Sequence, residues 1–278
     1  MMIRLLLIVS YILSCLRLRV GPWRYFQLNA SYFNENKGIY SKLDIDNLIP
    51  EQWRLQQWVD GHGQEPTSYP VFVKPEWGQN SKGIQRADNA EALNLIRSER
   101  KPSQVQHLVQ EAATGKIEFE IFAVPSENNI EHYQVLSITK VLNDGDAEFP
   151  INGIYNKHTH YQDITDQFSD EDLDRLWAHL KQIGQFRISR FGVRADSIKA
   201  LLDGRFKVIE INLFLPMPLV LLTKNTSVSS KFSFVFQCMW LLAKVTKTIP
   251  VEQNKRPIFF QKLNFIRRVK HIAQKEAN

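Results

Sequence analysis

The pattern of apolar and polar positions divides the chain into two apolar ends and a strand-rich middle. Leu5 to Leu16 is an apolar run broken only by Ser10, Tyr11 and Ser14, and at about a dozen residues it is short for a bilayer span, which takes roughly 20. The run also resembles the core of a secretory leader, but Arg17, Arg19 and Arg24 follow directly with no small-x-small cleavage pattern, so secretion is not the expected reading. It reads as a helix, either buried or lying in the interface of an anionic membrane, where apolar burial and basic contacts add. Near the other end Phe232 to Val245 is again apolar and aromatic. Beyond Pro250, Ile258, Phe259, Leu263, Phe265, Ile266, Val269 and Ile272 recur at helical spacing among Lys255, Arg256, Lys262, Arg267, Arg268 and Lys270, which predicts a basic amphipathic helix.

Between the ends the period shortens. Strands are expected over Tyr69 to Pro75, His107 to Glu111, Ile117 to Val124, Tyr133 to Lys140 and Ile151 to Tyr155, with a helix over Glu91 to Arg97. Ser169 and Asp172 have capping-box spacing and open a second helix, whose stripe of Leu173, Leu176, Trp177, Leu180, Ile183 and Phe186 reads as core. Two more strands follow, Phe191 to Asp196 and Phe206 to Asn212, with Asp203-Gly204 as a hairpin signal between them.

These last strands carry polar groups where apolar ones would be expected. The period of two puts Arg194 and Asp196 on one face, and Glu210 and Asn212 on one face of the next strand. If the strands pair, Asp196, Glu210 and Asn212 converge, and three oxygen ligands without Cys or His suit Mg²⁺ completed by substrate phosphates. Upstream, Lys74 ends a strand that runs into the polar turn Gly78 to Gly83, a loop able to aim backbone N–H groups at an anion. The lysine precedes the glycines, so this is not the P-loop.

Composition adds limits. The chain has 278 residues, 44% hydrophobic and 23% charged, enough for one large or two globular domains. Thirty-five basic against 29 acidic residues leave +6, which suits an anionic partner. Without an RNA-binding signature or an aromatic-basic platform, nucleic acid is not the expected partner. The two cysteines, Cys15 and Cys238, lie in apolar stretches, so neither a disulfide framework nor a cysteine-based zinc site is expected, and the simplest setting is a reducing, cytoplasmic one. His158 and His160 form a pair with no partner cluster and read as near-phosphate or solvent-exposed.

The ordered set Val73-Lys74-Pro75, Gly78 to Gly83, Gln110-Glu111 with Gly115 and Glu118, Arg194-x-Asp196 and Glu210-x-Asn212 resembles the ATP-grasp superfamily, and within it the D-alanine–D-alanine ligase branch. The resemblance covers about Tyr69 to Met217. It implies an α+β fold: two lobes with antiparallel sheets gripping ATP, here with an apolar-basic helix at each end. The implied division is 1–45 as the apolar-basic N-terminal segment, 46–113 and 114–225 as the two lobes, and 226–278 as a helical basic segment. It implies ATP phosphates on Lys74, with Ser81 and Gly83 in the loop that covers them. Adenine would meet Glu111 and the backbone of Ala112, Ala113 and Thr114, and Glu118 would hold the ribose. Lys157 resembles a second phosphate lysine. Asp196, Glu210 and Asn212 would hold one or two Mg²⁺ ions (or Mn²⁺), with Arg194 beside the transferred phosphate.

The implied activity is ATP-dependent activation of a small-molecule carboxylate as an acylphosphate for attack by an amine or thiol. The alternatives are an ATP-grasp kinase, or a nucleotide-binding module at a membrane without chemistry. Ligases of this branch carry an α/β domain ahead of the lobes, where this sequence has about 68 residues before Tyr69. Where they have a Pro-Gly turn after the metal asparagine, this chain has Leu213 to Leu219. That loop and the apolar ends point to a hydrophobic or membrane-linked substrate and to an anionic membrane surface as a partner.

Overall fold

A computed structural model describes residues 2–77, 81, 83–100, 106–145, 147–250, 253, 258, 260 and 261. The amphipathic helix expected beyond Pro250 falls almost wholly outside them, as do Gly78 to Asn80 and Lys82 of the glycine-bracketed turn.

Helix α1 (Met2–Arg17) is followed after a stretch of short turns by α2 (Lys42–Asp46). Strands β1 (Gln57–Val59), β2 (Val71–Pro75), β3 (Gln85–Ala87) and β4 (His107–Glu111) then form an antiparallel sheet in the order β1-β4-β2-β3. Helix α3 (Ala90–Glu99), whose N-terminus is capped by Asn89, packs Leu93 and Ile96 on Val71, Val73 and Val109. The residues of β2 and β4 that alternate with these, Phe72, Lys74 and Gln110, are left for the opposite face.

The second sheet is also antiparallel, in the order β7-β6-β5-β8-β9. It comprises β5 (Ile117–Pro125), β6 (Tyr133–Asn143), β7 (Thr159–Asp163), β8 (Ser189–Ala195) and β9 (Phe206–Asn212). Phe119, Ile121, Ile138, Phe191, Val193 and Val208 bury one face against Trp53, Leu176, Trp177 and Leu180. Three of these come from α4 (Asp170–Leu180), which begins with the expected box: Ser169 and Asp172 cap each other's backbone N–H groups. The other face is split. At one end Phe122, Val124, Val135 and Ile188 pack with α1 and with α6 (Val228–Lys247). At the other, Glu118, Glu120, Arg190 and Arg194 face a cleft shared with the first sheet.

The two apolar ends therefore meet each other. Tyr11 and Cys15, one helical turn apart, join Cys238, Met239 and Leu242 in one core, and the Tyr11 hydroxyl hydrogen-bonds Thr246 at 2.8 Å. The opposite face of α1 is bare, with Leu5 61%, Leu13 58% and Leu16 62% exposed. Among the described residues no helix is long and apolar enough to cross a membrane.

Three expectations change. No strand spans Ile151 to Tyr155, which is loop and turn; the last strand before α4 is β7, paired with β6 from Thr139↔Asp163 to Asn143↔Thr159. Helix α4 stops at Leu180, and Ile183 and Phe186 reach the same core from the turn that follows. The β8–β9 connection is not a tight hairpin, because Ser197 caps a short helix, α5 (Ile198–Leu202), and Gly204 turns the chain back at φ 73°.

Candidate active site

The two sheets enclose a cavity of about 780 Å³. Lys74, Gln110 and Glu111 line it from the first sheet, and Glu118, Glu120, Arg190, Arg194, Glu210 and Asn212 from the second. Gly115 carries the chain from β4 to β5 in a place no side chain could occupy, since a Cβ there would lie 2.7 Å from the Ala195 backbone nitrogen. Gln110 ties the sheets together: its side-chain amide donates to Ile209 O at 3.2 Å and its oxygen accepts from Lys74 Nζ at 2.9 Å.

Lys74 is buried, and desolvation together with the neighbouring Lys42 pulls its pKa down to about 7 against the pull of Glu210 and Asp46. Lys42, supplied by α2, lies in the same wall with its ammonium on Pro75 O at 2.9 Å, and its pKa is likewise lowered by burial. Glu118 accepts from Asn152 Nδ2 at 2.9 Å, and burial raises its pKa to about 7. Ser81, in the left-handed region at φ 58°, donates to Asn152 O at 2.5 Å, so loop 150–154 closes the cavity where a strand was expected.

The register of β8 on β9 decides which polar groups meet. Gly192 pairs with Glu210 and Arg190 with Asn212, whereas Ala195 pairs with Phe206. Asp196 is therefore about four residues from Glu210 along the strand, roughly 13 Å, and it is exposed and outside the cavity wall. Glu210 and Asn212 do come together, with Asn212 Nδ2 donating to Glu210 Oε1 at 2.8 Å. Arg194 sits instead opposite Glu118, buried, with one terminal nitrogen on Glu148 O at 2.9 Å. Among the predicted nucleotide residues, Lys74, Ser81, Glu111, Ala113 and Glu118 line the cavity. Gly83 turns the loop at φ 78° beside Pro75, Ala112 bonds Pro70 O at 3.3 Å, and Thr114 is exposed. Lys157 is exposed and does not reach the cavity.

The sequence reading passed over Arg190 and Glu120. Arg190 Nε lies 2.9 Å from Glu120 Oε2, and Arg190 also reaches Glu210 Oε1 at 3.6 Å. Burial raises the pKa of Glu120 despite the guanidinium beside it. Burial works the same way on Glu210 but is outweighed by Arg190, Lys42, Asn212 and Lys74, which together hold its pKa down. Gly192 makes room for the arrangement, because a Cβ there would meet Glu210 Cγ at 3.3 Å and Glu120 Oε1 at 3.4 Å. The signal was legible as alternation: Glu118-x-Glu120 in β5 and Arg190-x-Gly192-x-Arg194 in β8 each put like residues on one face.

The three expected metal ligands are not brought together, because Asp196 lies outside the cavity that Glu210 and Asn212 line. Among the described residues no group of three or more His, Cys, Asp or Glu side chains is arranged to hold an ion. Arg190 stands between the carboxylates of Glu120 and Glu210, and of the three expected ligands Glu210 and Asn212 line the cavity. Mg²⁺ takes few protein ligands when phosphates and waters supply the others.

No family model and no curated protein matches this chain. Among solved structures, the D-Ala:D-Ser ligase VanG from Enterococcus faecalis matches with a TM-score of 0.50 and 13% identity, over 74% of this chain and 61% of that one. The chain has the ATP-grasp fold. It is also similar to the L-amino acid ligase from Bacillus licheniformis (TM-score 0.46, 17% identity, 72% of this chain and 47% of that one). A D-alanine–D-alanine ligase from Bacillus anthracis matches with a TM-score of 0.47 and 14% identity, over 81% of this chain and 69% of that one. This ATP-grasp chain thus spans about half to two thirds of the length of these ligases.

Proposed function

We propose that this ATP-grasp protein is an ATP-dependent carboxylate–amine ligase. The observation that supports it is the cavity between two antiparallel sheets, lined by Lys74, Glu118, Arg190, Arg194, Glu210 and Asn212. In the reaction a carboxylate oxygen attacks the γ-phosphorus of ATP, the bond to ADP breaks, and an acylphosphate forms. The amine nitrogen then attacks the acyl carbon, the C–O bond to phosphate breaks, and the amine gives up a proton as phosphate leaves. Such a sequence needs positioned cations more than a protein nucleophile.

Lys74 and Lys42 supply positive charge to the phosphates, Glu118 accepts hydrogen bonds from the ribose, and Arg190 and Arg194 stabilise the transferred group. Glu111 and Ala113 border the adenine. Glu210 and Asn212 fit the Mg²⁺ that ATP carries, whose chemistry is to neutralise phosphate charge. Measuring ADP release with a panel of carboxylates and amines tests the assignment. Glu210→Ala should lose at least about a hundredfold in rate, a few kcal/mol of transition-state stabilisation, whereas Asp196→Ala should stay near wild type. Equal loss in both variants would return Asp196 to the site.

The bare face of α1, flanked by Arg4, Arg17 and Arg19, supports docking on an anionic membrane and a hydrophobic or membrane-linked substrate. Sedimentation with vesicles should show binding that rises with anionic lipid and weakens with salt. Arg17→Glu with Arg19→Glu should reduce it severalfold, and salt-insensitive binding would refute the electrostatic part.

A further inference from the structure

The cavity does not end at its charged groups. Arg194, Gly192 and Arg190 of β8 and Ile188 just ahead of the strand follow one another on one face and all line it, six residue steps or roughly 20 Å of extended chain. At the Ile188 end the lining changes character: Ile8 and Ile12 of α1, Trp23, Leu215, Met217 and Met239 form an apolar arm continuous with the charged chamber. Ile8 (56%), Trp23 (72%) and Leu215 (49%) are also exposed, so the arm opens to the surface among apolar side chains. Leu215 holds φ 52° just before Pro216, a left-handed conformation that a bulky residue ahead of proline seldom adopts.

We propose that the group activated here is the carboxylate of an amphiphile, with its head at Arg190 and its aliphatic tail in the arm between α1 and Phe214–Leu219. Arg190 marks the boundary: it faces Glu120 and Glu210 on one side and donates to Met217 O at 3.4 Å on the other. Beyond it, the Nε of buried Arg194 has no hydrogen-bond partner among the described residues, so a donor remains for an anionic group. At about 780 Å³ the cavity is near the top of the range of roughly 300–1,000 Å³ for small-molecule sites, with room for a nucleotide and a second ligand in line. An apolar arm joined to a charged chamber that presents Arg190 and Arg194 at the junction is complementary to a molecule that is apolar at one end and anionic at the other.

The proposal deepens the ligase reading and rests on it. The test is calorimetric binding of acetate, hexanoate, octanoate and decanoate, with and without ATP, each below its micelle threshold. Affinity should rise about fourfold per methylene. Ile8→Asp and Trp23→Ser, both at exposed positions that a polar residue tolerates, should each weaken decanoate tenfold or more while leaving acetate as it was. A flat series overturns the proposal, including when the protein binds anionic vesicles, and so does a chain-length dependence unaltered in both variants. If the series is steep but ATP does not bind, the tail site stands and the ligase reading falls.

Discussion

Arg190→Met is expected to destabilise the protein by about 3–5 kcal/mol at pH 8, because two carboxylates lose their shared countercharge inside the fold. Glu120 lies 2.9 Å from the guanidinium and Glu210 3.6 Å, and the Arg190 and Glu120 side chains are only 15% and 10% exposed. The pH dependence gives the argument its sign. Burial already raises the pKa of Glu120, so its ionised form is disfavoured in the folded state, and removing Arg190 raises that pKa further. The contribution of such a group to stability is fully present below its unfolded pKa and is lost as pH rises through its folded one. The variant should therefore approach wild type near pH 4 and fall progressively behind as the pH rises. Urea denaturation at several pH values measures this, and adding Glu120→Gln should recover a large part of the loss at pH 8. A double variant no more stable than Arg190→Met alone would mean that the pair is not coupled.

The second large effect concerns Lys74. Its pKa of about 7 means that near neutral pH the free protein holds it only partly charged, whereas a phosphate beside it favours the ammonium. ATP binding should then take up a proton, and affinity should fall by up to about tenfold per pH unit above pH 7. Lys74→Arg should flatten that profile, since guanidinium keeps its charge, and Lys74→Met should weaken ATP by about tenfold to a hundredfold at pH 7. Calorimetry in two buffers of different ionisation enthalpy counts the proton, and no uptake at pH 8 would contradict the assignment. Stability moves oppositely. Between about 7 and the ordinary lysine value of 10.5 the unfolded chain holds a proton that the folded chain lacks, so the free protein gains stability as pH rises through that window.

Local patterns were readable where one residue's neighbours in sequence settle its conformation. The Ser169 cap, the stripe of α4 as far as Leu180 and the alternation in β5 and β9 all follow from helical or strand period alone. The grouping of Lys74, Glu118 and Glu210 in one site came instead from the resemblance to ATP-grasp proteins, and all three side chains line the cavity. The Ile151 to Tyr155 stretch failed for the complementary reason: a short apolar run carries no information about whether a partner strand is within reach.

What the sequence determined by itself is most of the elements, though not β1, β3, β7 or α5, together with the alternation that puts cations and carboxylates on one face. Which of them meet is a matter of register. One shift between Gly192 and Val193 and the α5 insertion set Glu210 opposite Gly192, so Arg190 and Glu120 enter the site and Asp196 leaves it. A strand's period tells which face a side chain takes but not which residue lies across from it, and that is fixed only when connections and packing choose one alignment. The apolar ends follow the same rule. Their hydrophobicity was plain in the chain, but only the pairing of α1 with α6 turned one stripe inward, set Ile8 and Ile12 at the cavity and left Leu5, Leu13 and Leu16 bare.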